Sequence, residues 1–187
     1  MNRRGKQLRL QKLRNPHCTI CKLHKSSKHV CILGRGNVMA PIVLVGEAPG
    51  AAEEKTGKPF MGRAGKLLNK LLKLLEMYHL VYITNACRCR PPKNRNLTSA
   101  ELEACNYYFK KEIDIIKPKI IILLGRTAVT AMGFGADVNA GSSYFHYEPW
   151  PDCYIKASWH PSYCLRRGKG ATKDLYRALK WAKEMVA

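Results

Sequence analysis

Residues 41–50 read PIVLVGEAPG, a short apolar run that ends in a loop of glycine, proline and one acidic residue. Branched side chains followed by Gly46 are typical of a buried strand, so we predict a strand over residues 41–46. Leucines then recur at helical spacing over residues 64–77, with lysines on the other face, which predicts an amphipathic helix. This part of the chain is thus expected to form a strand, a loop and a helix in succession.

The same order of elements recurs along the rest of the chain. Further strands are predicted over residues 81–84, 119–125 and 154–157. A capping box of Thr98 and Glu101 opens a helix that must end before Pro118, and two more helices are predicted over residues 126–132 and 173–186. Residues 133–150 carry the least pattern and are expected to form a surface excursion. Alternating strands and helices favour a single three-layer α/β/α domain with a central, mainly parallel four-stranded sheet.

The charge of the chain points to a polyanionic partner. The 33 Lys and Arg residues outnumber the 13 Asp and Glu residues, for a net charge of +20, which makes nucleic acid the first candidate. Apolar runs such as Ile120–Leu124 are too short to span a membrane, so no membrane role is expected. Residues 1–14 are basic without a continuous apolar stretch. We therefore predict a basic arm over 1–14, a domain over 15–187, and a cytoplasmic, nucleoid-associated protein.

Polar and glycine-rich segments follow three of the predicted strands. They are Gly46–Gly50, Asn85 and His160–Tyr163. Ligand sites of parallel α/β sheets lie at the carboxyl ends of the strands. We therefore expect these three segments to converge on one site.

The cysteines indicate a metal or redox site. The chain has eight of them, and Cys18 and Cys21 form a Cys-x-x-Cys pair. Inside a reducing cell such a pair indicates metal or redox chemistry rather than disulfides. Four thiolates suit either zinc or an iron–sulfur cluster, and the spacing alone does not separate these two options.

Three blocks of sequence carry a resemblance to a known family. GEAPGAAEEKTGKPFMGRAGKLL at 46–68, ITNACRCRPPKNRN at 83–96 and HPSYCLR at 160–166 are together similar to the family 4 uracil-DNA glycosylases. The resemblance implies a monomeric α/β/α enzyme with a [4Fe-4S] cluster. It further implies hydrolysis of the bond between uracil and deoxyribose in single- or double-stranded DNA, leaving an abasic site for base excision repair.

The resemblance also implies which thiols hold the cluster, and a structural role for it. The implied ligands are Cys18, Cys21, Cys89 and Cys105. Cys87, two residues before Cys89, is the local competitor, but the Cys-Arg-Pro-Pro context belongs to Cys89. The remaining cysteines, at positions 31, 153 and 164, are expected to be ordinary thiols.

Several residues of the matched blocks are expected to bind the uracil base. The side-chain amide of Asn85 offers a donor and an acceptor, which fit O4 and N3–H of uracil and mismatch cytosine. The resemblance places Phe60 in a stack on the base and Glu47, Ala48 and Pro49 beside it. A hydrogen bond from His160 to O2 would stabilise the charge that grows on the departing uracil.

The sequence leaves open which residue orients the attacking water. Related glycosylases with an Asp in this first loop have it where this chain has Ala48. Glu47 and Glu53 are the nearest carboxylates, and either could orient water and offset the positive charge of an oxocarbenium-like sugar. Glu47 is the first choice, and the alternative for both is a solvated surface acid.

The segment after His160 is expected to contact DNA. Leu165 is a candidate wedge into the base stack, although Cys164 and Arg166 remain alternatives because the family often has Leu at the position of Cys164. Arg166 and Arg167 are expected to bind phosphates, which gives salt-dependent affinity without sequence preference.

Two other functions compete with the glycosylase hypothesis. The first is a non-turnover uracil-DNA binding protein, and the second is an iron–sulfur or zinc module for DNA binding or redox chemistry. Covalently trapping relatives carry an inserted basic loop with a histidine after the ITN block, and residues 86–96 have no such insertion. Turnover is therefore favoured. A sliding clamp or polymerase partner is left open.

Overall fold

One sheet organises the fold of the chain. The computed structural model describes residues 1–135, 144–147 and 150–187, with the backbone alone for 144–147. Its strands are β1 Arg35–Gly36, β2 Ile42–Gly46, β3 Val81–Asn85, β4 Ile120–Leu124, β5 Tyr144–Tyr147 and β6 Trp150–Ser158. Its helices are α1 Arg3–Leu13, α2 Ala51–Thr56, α3 Arg63–Leu74, α4 Ser99–Ile116, α5 Arg126–Ala131, α6 Pro161–Arg167 and α7 Lys169–Glu184.

The strands lie in the order β1-β3-β2-β4-β6-β5. The four in the middle are parallel, with Ile42 opposite both Val81 and Ile120, and they are the four strands that the sequence predicts. The predicted parallel centre is therefore confirmed. Two short antiparallel strands, β1 and β5, extend it at the edges.

The edge strand β5 falls within the predicted surface excursion. Residues 144–147 pair with β6, which itself begins at Trp150 rather than at the predicted Tyr154. Part of that stretch, residues 136–143 and 148–149, lies outside the described residues. The predicted surface excursion therefore contains an edge strand at residues 144–147, which the sequence did not indicate.

Helices cover both faces of the sheet. Side chains alternate along each buried strand. Val43 and Ile121 therefore face α1, α4 and α5 on one side, and Leu44 and Ile122 face α3 and α7 on the other. The three-layer α/β/α architecture is confirmed. None of the helices in the described ranges is both long enough and apolar enough to cross a membrane.

The long helix α4 begins and ends as the sequence predicts. The Thr98 hydroxyl accepts from the backbone N–H of Glu101 at 3.2 Å, and the Glu101 carboxylate accepts from the Thr98 N–H at 2.9 Å. The helix ends at Lys117, which is left-handed with φ 51°, directly before Pro118. Capping box and proline thus set both boundaries.

The basic N-terminal segment forms helix α1, which packs against α4. Leu10 is buried in the core between them. The Lys6 ammonium donates to the carbonyl of Ile116 at 2.5 Å, and the Asn15 amide donates to the Tyr108 hydroxyl at 3.1 Å. Residues 3–13 are therefore held in a defined place on the body of the protein.

Candidate active site

A cavity of about 520 Å³ opens at the carboxyl ends of the parallel strands. All the residues predicted to bind the base line it, so the expected convergence of the three loops is found. The site residues expected from the sequence that line this cavity are Glu47, Ala48, Pro49, Glu53, Phe60, Asn85 and His160. Cavities of several hundred Å³ are the size in which proteins bind small molecules.

Asn85 forms the floor of the cavity at the end of β3. It is only 3% exposed, and its side chain packs against Gly46 at the end of β2. A Cβ atom on Gly46 would lie 2.5 Å from both Asn85 Oδ1 and Phe60 Cζ. Only glycine at position 46 therefore lets the amide and the aromatic ring come together.

Phe60 forms one wall and has a strained backbone. Its φ is 56°, in the left-handed region, and its ring centroid lies 5.8 Å from that of His160. Gly65 in α3 permits this conformation, because a Cβ there would lie 2.0 Å from the Phe60 carbonyl oxygen. Strain of this kind persists at sites where the surrounding structure overdetermines it.

His160 caps the start of α6 with its ring. Nδ1 accepts from the backbone N–H of Ser162 at 3.2 Å, and the Ser162 hydroxyl lies 2.8 Å from the same atom. Burial, and then the positive charge of Arg166, lower the pKa of His160 to about 4. The ring is therefore neutral at pH 7, and since Nδ1 accepts, the proton is carried on Nε2.

Glu47 is a half-buried carboxylate beside Asn85. Burial raises the pKa of Glu47, and a hydrogen bond with Thr127 opposes that shift. The backbone carbonyl of Glu47 accepts from the N–H of Cys87 at 2.9 Å, which ties this loop to the segment after β3. A desolvated carboxylate in a cleft is typical of a group that handles protons or water.

Glu53 lines the same cavity, but backbone amides surround its carboxylate. Oε1 accepts from the N–H groups of Met61 and Gly62, both at 2.8 Å, and Oε2 accepts from Gly50 at 3.0 Å. Glu53 therefore joins the start of α2 to the start of α3. The two predicted acidic residues thus differ in their surroundings, since Glu47 has no such amide cage among the described residues.

Three of the four predicted cluster ligands pack together. Cys21, Cys89 and Cys105 lie in one buried group with Leu23, and Cys18 lies in the adjoining group with Cys31 and Tyr108. Burial raises the pKa of the Cys89 thiol to about 12, and the neighbouring Cys105 and Cys21 thiols also raise it. The thiols are thus close enough to affect one another.

The sulfur atoms do not form a single-ion site. Within the described ranges, no group of three or more Cys, His, Asp or Glu side chains is placed to hold one metal ion. A four-iron cluster is larger than an ion, so its thiolate ligands stand farther apart than those of zinc. Iron–sulfur clusters are held by four cysteine thiolates, so the four buried or half-buried thiols present here are suitable ligands for a [4Fe-4S] cluster.

Cys87 is also present in this group. Its pKa is raised by a hydrogen bond to Cys105 and by burial, and the backbone N–H of Arg88 donates to Cys105 Sγ at 3.3 Å. Cys87 is fully buried. Both Cys87 and Cys89 thus lie in the same buried group as Cys105.

The predicted DNA-contacting residues lie on helix α6, and one of them, Arg166, reaches the cavity. Leu165 is 45% exposed, Arg166 lines the cavity, and Arg167 lies over the Tyr163 ring at 5.7 Å. Cys164, one of the wedge alternatives, is 1% exposed and contacts the carbonyl of Ala171. This leaves Leu165 as the exposed apolar side chain of the helix.

Two features of the site were missed by the sequence analysis. The loop Pro91–Asn96 forms part of the cavity wall, and an ion pair of 2.6 Å between Arg95 and Glu101 holds it. Beneath Asn85, Arg88 and Glu112 form an ion pair of 2.6 Å with almost no exposure. The first lay within the matched block KNRN, whereas no local pattern indicated the second.

The fold and the cavity together indicate a protein that binds one base of a nucleic acid. A half-open cavity at the ends of a parallel sheet, with an amide floor, an aromatic wall and a neutral imidazole donor, suits a planar ring with polar edges. The net charge of +20 adds nucleic acid as the source of that ring.

Comparison with known proteins gives the family. The sequence model of the uracil DNA glycosylase superfamily matches residues 33–183. This chain belongs to that superfamily and, within it, to the type-4 uracil-DNA glycosylases.

Three relatives show the extent of the similarity. The type-4 uracil-DNA glycosylase of Thermotoga maritima is 41% identical over 80% of this chain and 78% of its own length. That of Archaeoglobus fulgidus is 46% identical over 80% of this chain and 79% of its own length. That of Sulfurisphaera tokodaii is 47% identical over 79% and 71%, respectively.

Proposed function

We propose that this protein hydrolyses the N-glycosidic bond of deoxyuridine in single- or double-stranded DNA. The products are free uracil and an abasic site, which base excision repair then processes. The observation that carries the proposal is the convergence of Asn85, Phe60 and His160 in one cavity. Membership of the type-4 family supports it.

Asn85 and Phe60 select and hold the flipped base. The Asn85 amide donates to O4 and accepts from N3–H, a combination that cytosine does not match. The Phe60 ring stacks on the base, an interaction worth about 1–3 kcal/mol. Burial of the amide makes a mismatched edge costly, since an unsatisfied buried polar group loses its hydrogen bonds to water.

His160 stabilises the departing uracil as a neutral donor. Because Nδ1 accepts from the Ser162 N–H, the proton on Nε2 is the one that donates to O2 of the base. Negative charge grows on that oxygen as the C1′–N1 bond breaks. A donor held in place before the reaction contributes about 10²–10³ in rate at comparable sites.

Glu47 orients the attacking water. The C1′–N1 bond breaks with its electron pair on uracil, the water oxygen bonds to C1′, and the water proton passes to the carboxylate. The same negative charge offsets the positive charge of the sugar in the transition state. Glu53 supports this loop through its three amide contacts and leaves Glu47 as the carboxylate available to water.

The exposed side of α6 receives the DNA. We assign Leu165 to the space that the flipped base vacates, and Arg166 and Arg167 to the flanking phosphates. The exposure of Leu165 and the position of Arg166 at the cavity mouth support this assignment. Phosphate contacts of this kind hold DNA without reading its sequence.

Cys18, Cys21, Cys89 and Cys105 would hold a [4Fe-4S] cluster. When bound, the cluster supplies a cross-link between the N-terminal segment, the segment after β3 and helix α4. The segment after β3 continues from Cys89 into the cavity wall at Pro91–Asn96, so this cross-link would stabilise the wall. Hydrolysis of the glycosidic bond is not a redox reaction, so it requires no electron transfer by the cluster.

The enzyme would act inside the cell as a monomer. One chain provides the base pocket, both acidic residues and the basic helix at its mouth. No second copy is needed to complete the site.

The test is a glycosylase assay with enzyme in excess. A labelled oligonucleotide with one uracil, and a matched thymine control, is treated with alkali after incubation to cut abasic sites. We expect a uracil-specific nick with the wild type, its loss in Asn85→Ala, and its retention in Gln7→Ala, an exposed amide on α1. Intact strands with a protein–DNA adduct would support the trapping binder instead, and intact strands without one would overturn the catalytic assignment.

A further inference from the structure

Helix α1 and the residue after it carry exposed cations that the base pocket does not use. Arg4, Arg9, Lys12 and the adjoining Arg14 are all exposed, and residues 1–14 contain no Asp or Glu. Among the residues that the structure describes, no carboxylate pairs with any of these four side chains. Such a group of like charges is unfavourable in the free protein.

The helix is fixed rather than loosely attached. Leu10 is buried against α4, and the Lys6 ammonium satisfies the C-terminal carbonyl of α4 at Ile116. The Asn15–Tyr108 hydrogen bond holds the end of the helix. The exposed cations therefore project from a rigid support, which lowers the entropy cost of using them in binding.

The start of α1 lies at the opposite end of the sheet from the base pocket. The Arg3 guanidinium donates to Asn37 Oδ1 at 3.2 Å, and the backbone N–H of Asn37 donates to Val81, the first residue of β3, at 3.1 Å. The pocket residue Asn85 is the last residue of β3. A five-residue strand is about 17 Å long, so the start of α1 is separated from the base pocket by the depth of the sheet.

We propose that α1 is a second DNA-binding surface, which holds the phosphate backbone of one DNA segment while the pocket holds another. Four exposed cations within eleven residues, without a paired carboxylate among the described residues, favour a polyanion, and counterion release drives their binding to a duplex. An amphipathic membrane helix would expose an apolar face, but here Leu10 faces the core and Leu8 is the one exposed leucine of α1. The inference rests on the proposed function in that the first segment is the glycosylase substrate. Residues 1–32 lie outside the superfamily match.

The test is DNA bridging by the full-length holoprotein. A biotinylated 30-base-pair duplex on beads and a free fluorescent duplex of the same length, both without uracil, are mixed with the protein, and captured fluorescence is measured. The variant is Arg4→Gln, Arg9→Gln, Lys12→Gln. The matched control is Lys70→Gln, Lys73→Gln, Lys180→Gln, three exposed cations on the other face of the sheet.

We expect the wild type and the control to bridge the two duplexes and the α1 variant to lose at least tenfold in capture. The slope of log affinity against log salt concentration for a single duplex should fall in magnitude by about 2.7 in the α1 variant. This is the change expected when three phosphate contacts are lost, at about 0.9 for each contact. Equal capture by the α1 variant and the wild type would overturn the proposal. So would binding to phosphatidylserine vesicles that depends on α1 while bridging does not.

The excision assay separates this proposal from the function of the pocket. With enzyme in excess over a short uracil oligonucleotide, the α1 variant should release uracil at the wild-type rate. Loss of bridging with normal excision supports the second surface. Absence of excision in the wild type would instead contradict the proposed function, whatever the result for bridging.

Discussion

The Nδ1 atom of His160 lies 3.2 Å from the backbone nitrogen of Ser162, and this contact determines how the histidine works. Since the backbone nitrogen donates, Nδ1 must accept, and a neutral ring then has its only proton on Nε2. Burial keeps the ring neutral, with a pKa of about 4. The histidine therefore stabilises the leaving group by a hydrogen bond and does not act as a general acid at neutral pH.

His160→Ala should reduce the single-turnover rate of uracil release by about 10²–10³-fold, because one donor to the developing negative charge is lost. Ser162→Ala keeps the backbone N–H that fixes the tautomer and should cost less than tenfold. The measurement is uracil release with enzyme in excess. A rate for His160→Ala within threefold of the wild type would contradict this role.

The pH dependence of the rate should reflect Glu47 rather than His160. Burial raises the pKa of Glu47 above its usual value, and the carboxylate must be ionised to orient water. The rate should therefore fall as the pH falls through this raised pKa. His160, with a pKa of about 4, stays neutral across that interval.

The check is a single-turnover pH profile from about pH 5 to 8, the range in which an ordinary histidine would titrate. Glu47→Gln should have a low rate that no longer changes with pH over this range. An inflection near the ordinary histidine value that persists in Glu47→Gln would show that His160 is not held neutral.

Glu47 and Glu53 should differ in what their loss affects. Glu47→Gln should lower the rate strongly with little change in melting temperature, because its role is in the reaction. Glu53→Ala removes the acceptor of three backbone N–H groups, so it should lower the free energy of unfolding by about 1–3 kcal/mol or more. Thermal melts and excision rates on both variants make the comparison. The opposite pattern would reverse the assignment of the water-orienting residue.

The sequence predicted the parallel centre of the sheet because each central strand is a separate apolar run with a loop of special residues after it. The base pocket followed, since parallel strands bring their carboxyl ends together and Asn85 and His160 each stand next to such an end. The edge strand β1 could not be predicted in the same way. It has two residues, and its position depends on pairing with β3.

Roles that depend on contacts between distant residues were also beyond the sequence. Glu53 and Glu47 look alike as acidic residues of one loop, and only the position of the Met61 and Gly62 amides distinguishes them. Cys164 is similarly excluded as a wedge only by its burial. In each case the role of the residue depends on its tertiary contacts, which no local sequence pattern indicates.

The cysteines offer a test of the cluster assignment. Cys89→Ser should lose most of the iron and the visible absorption of the purified protein, because Cys89 is a proposed ligand. Cys87→Ala should keep both, since the Cys-Arg-Pro-Pro context assigns the ligand to Cys89 and not to Cys87. Iron analysis and absorption spectra on the two variants suffice. Loss of iron in Cys87→Ala with retention in Cys89→Ser would exchange the two assignments.

Removing one partner of the buried ion pair between Arg88 and Glu112 should be strongly destabilising. The Glu112 carboxylate also accepts from the hydroxyls of Tyr82 and Thr84, at 2.7 and 2.6 Å, and from the N–H of Gly34 at 2.7 Å. It thus joins β3, which ends at Asn85, to helix α4. Removing one partner leaves the other charge buried without compensation, which costs about 3–5 kcal/mol.

Glu112→Leu should therefore lower the free energy of unfolding by about 3–5 kcal/mol, measured by urea denaturation. The double variant Arg88→Met, Glu112→Leu should recover part of this loss, because no buried charge remains, although the Tyr82, Thr84 and Gly34 donors still lack their acceptor. Asp174→Ala serves as the control: it breaks the exposed pair with Arg177, whose atoms lie 3.4 Å apart, and should cost less than about 1 kcal/mol. If Glu112→Leu were no more costly than Asp174→Ala, the network would not hold β3 against α4.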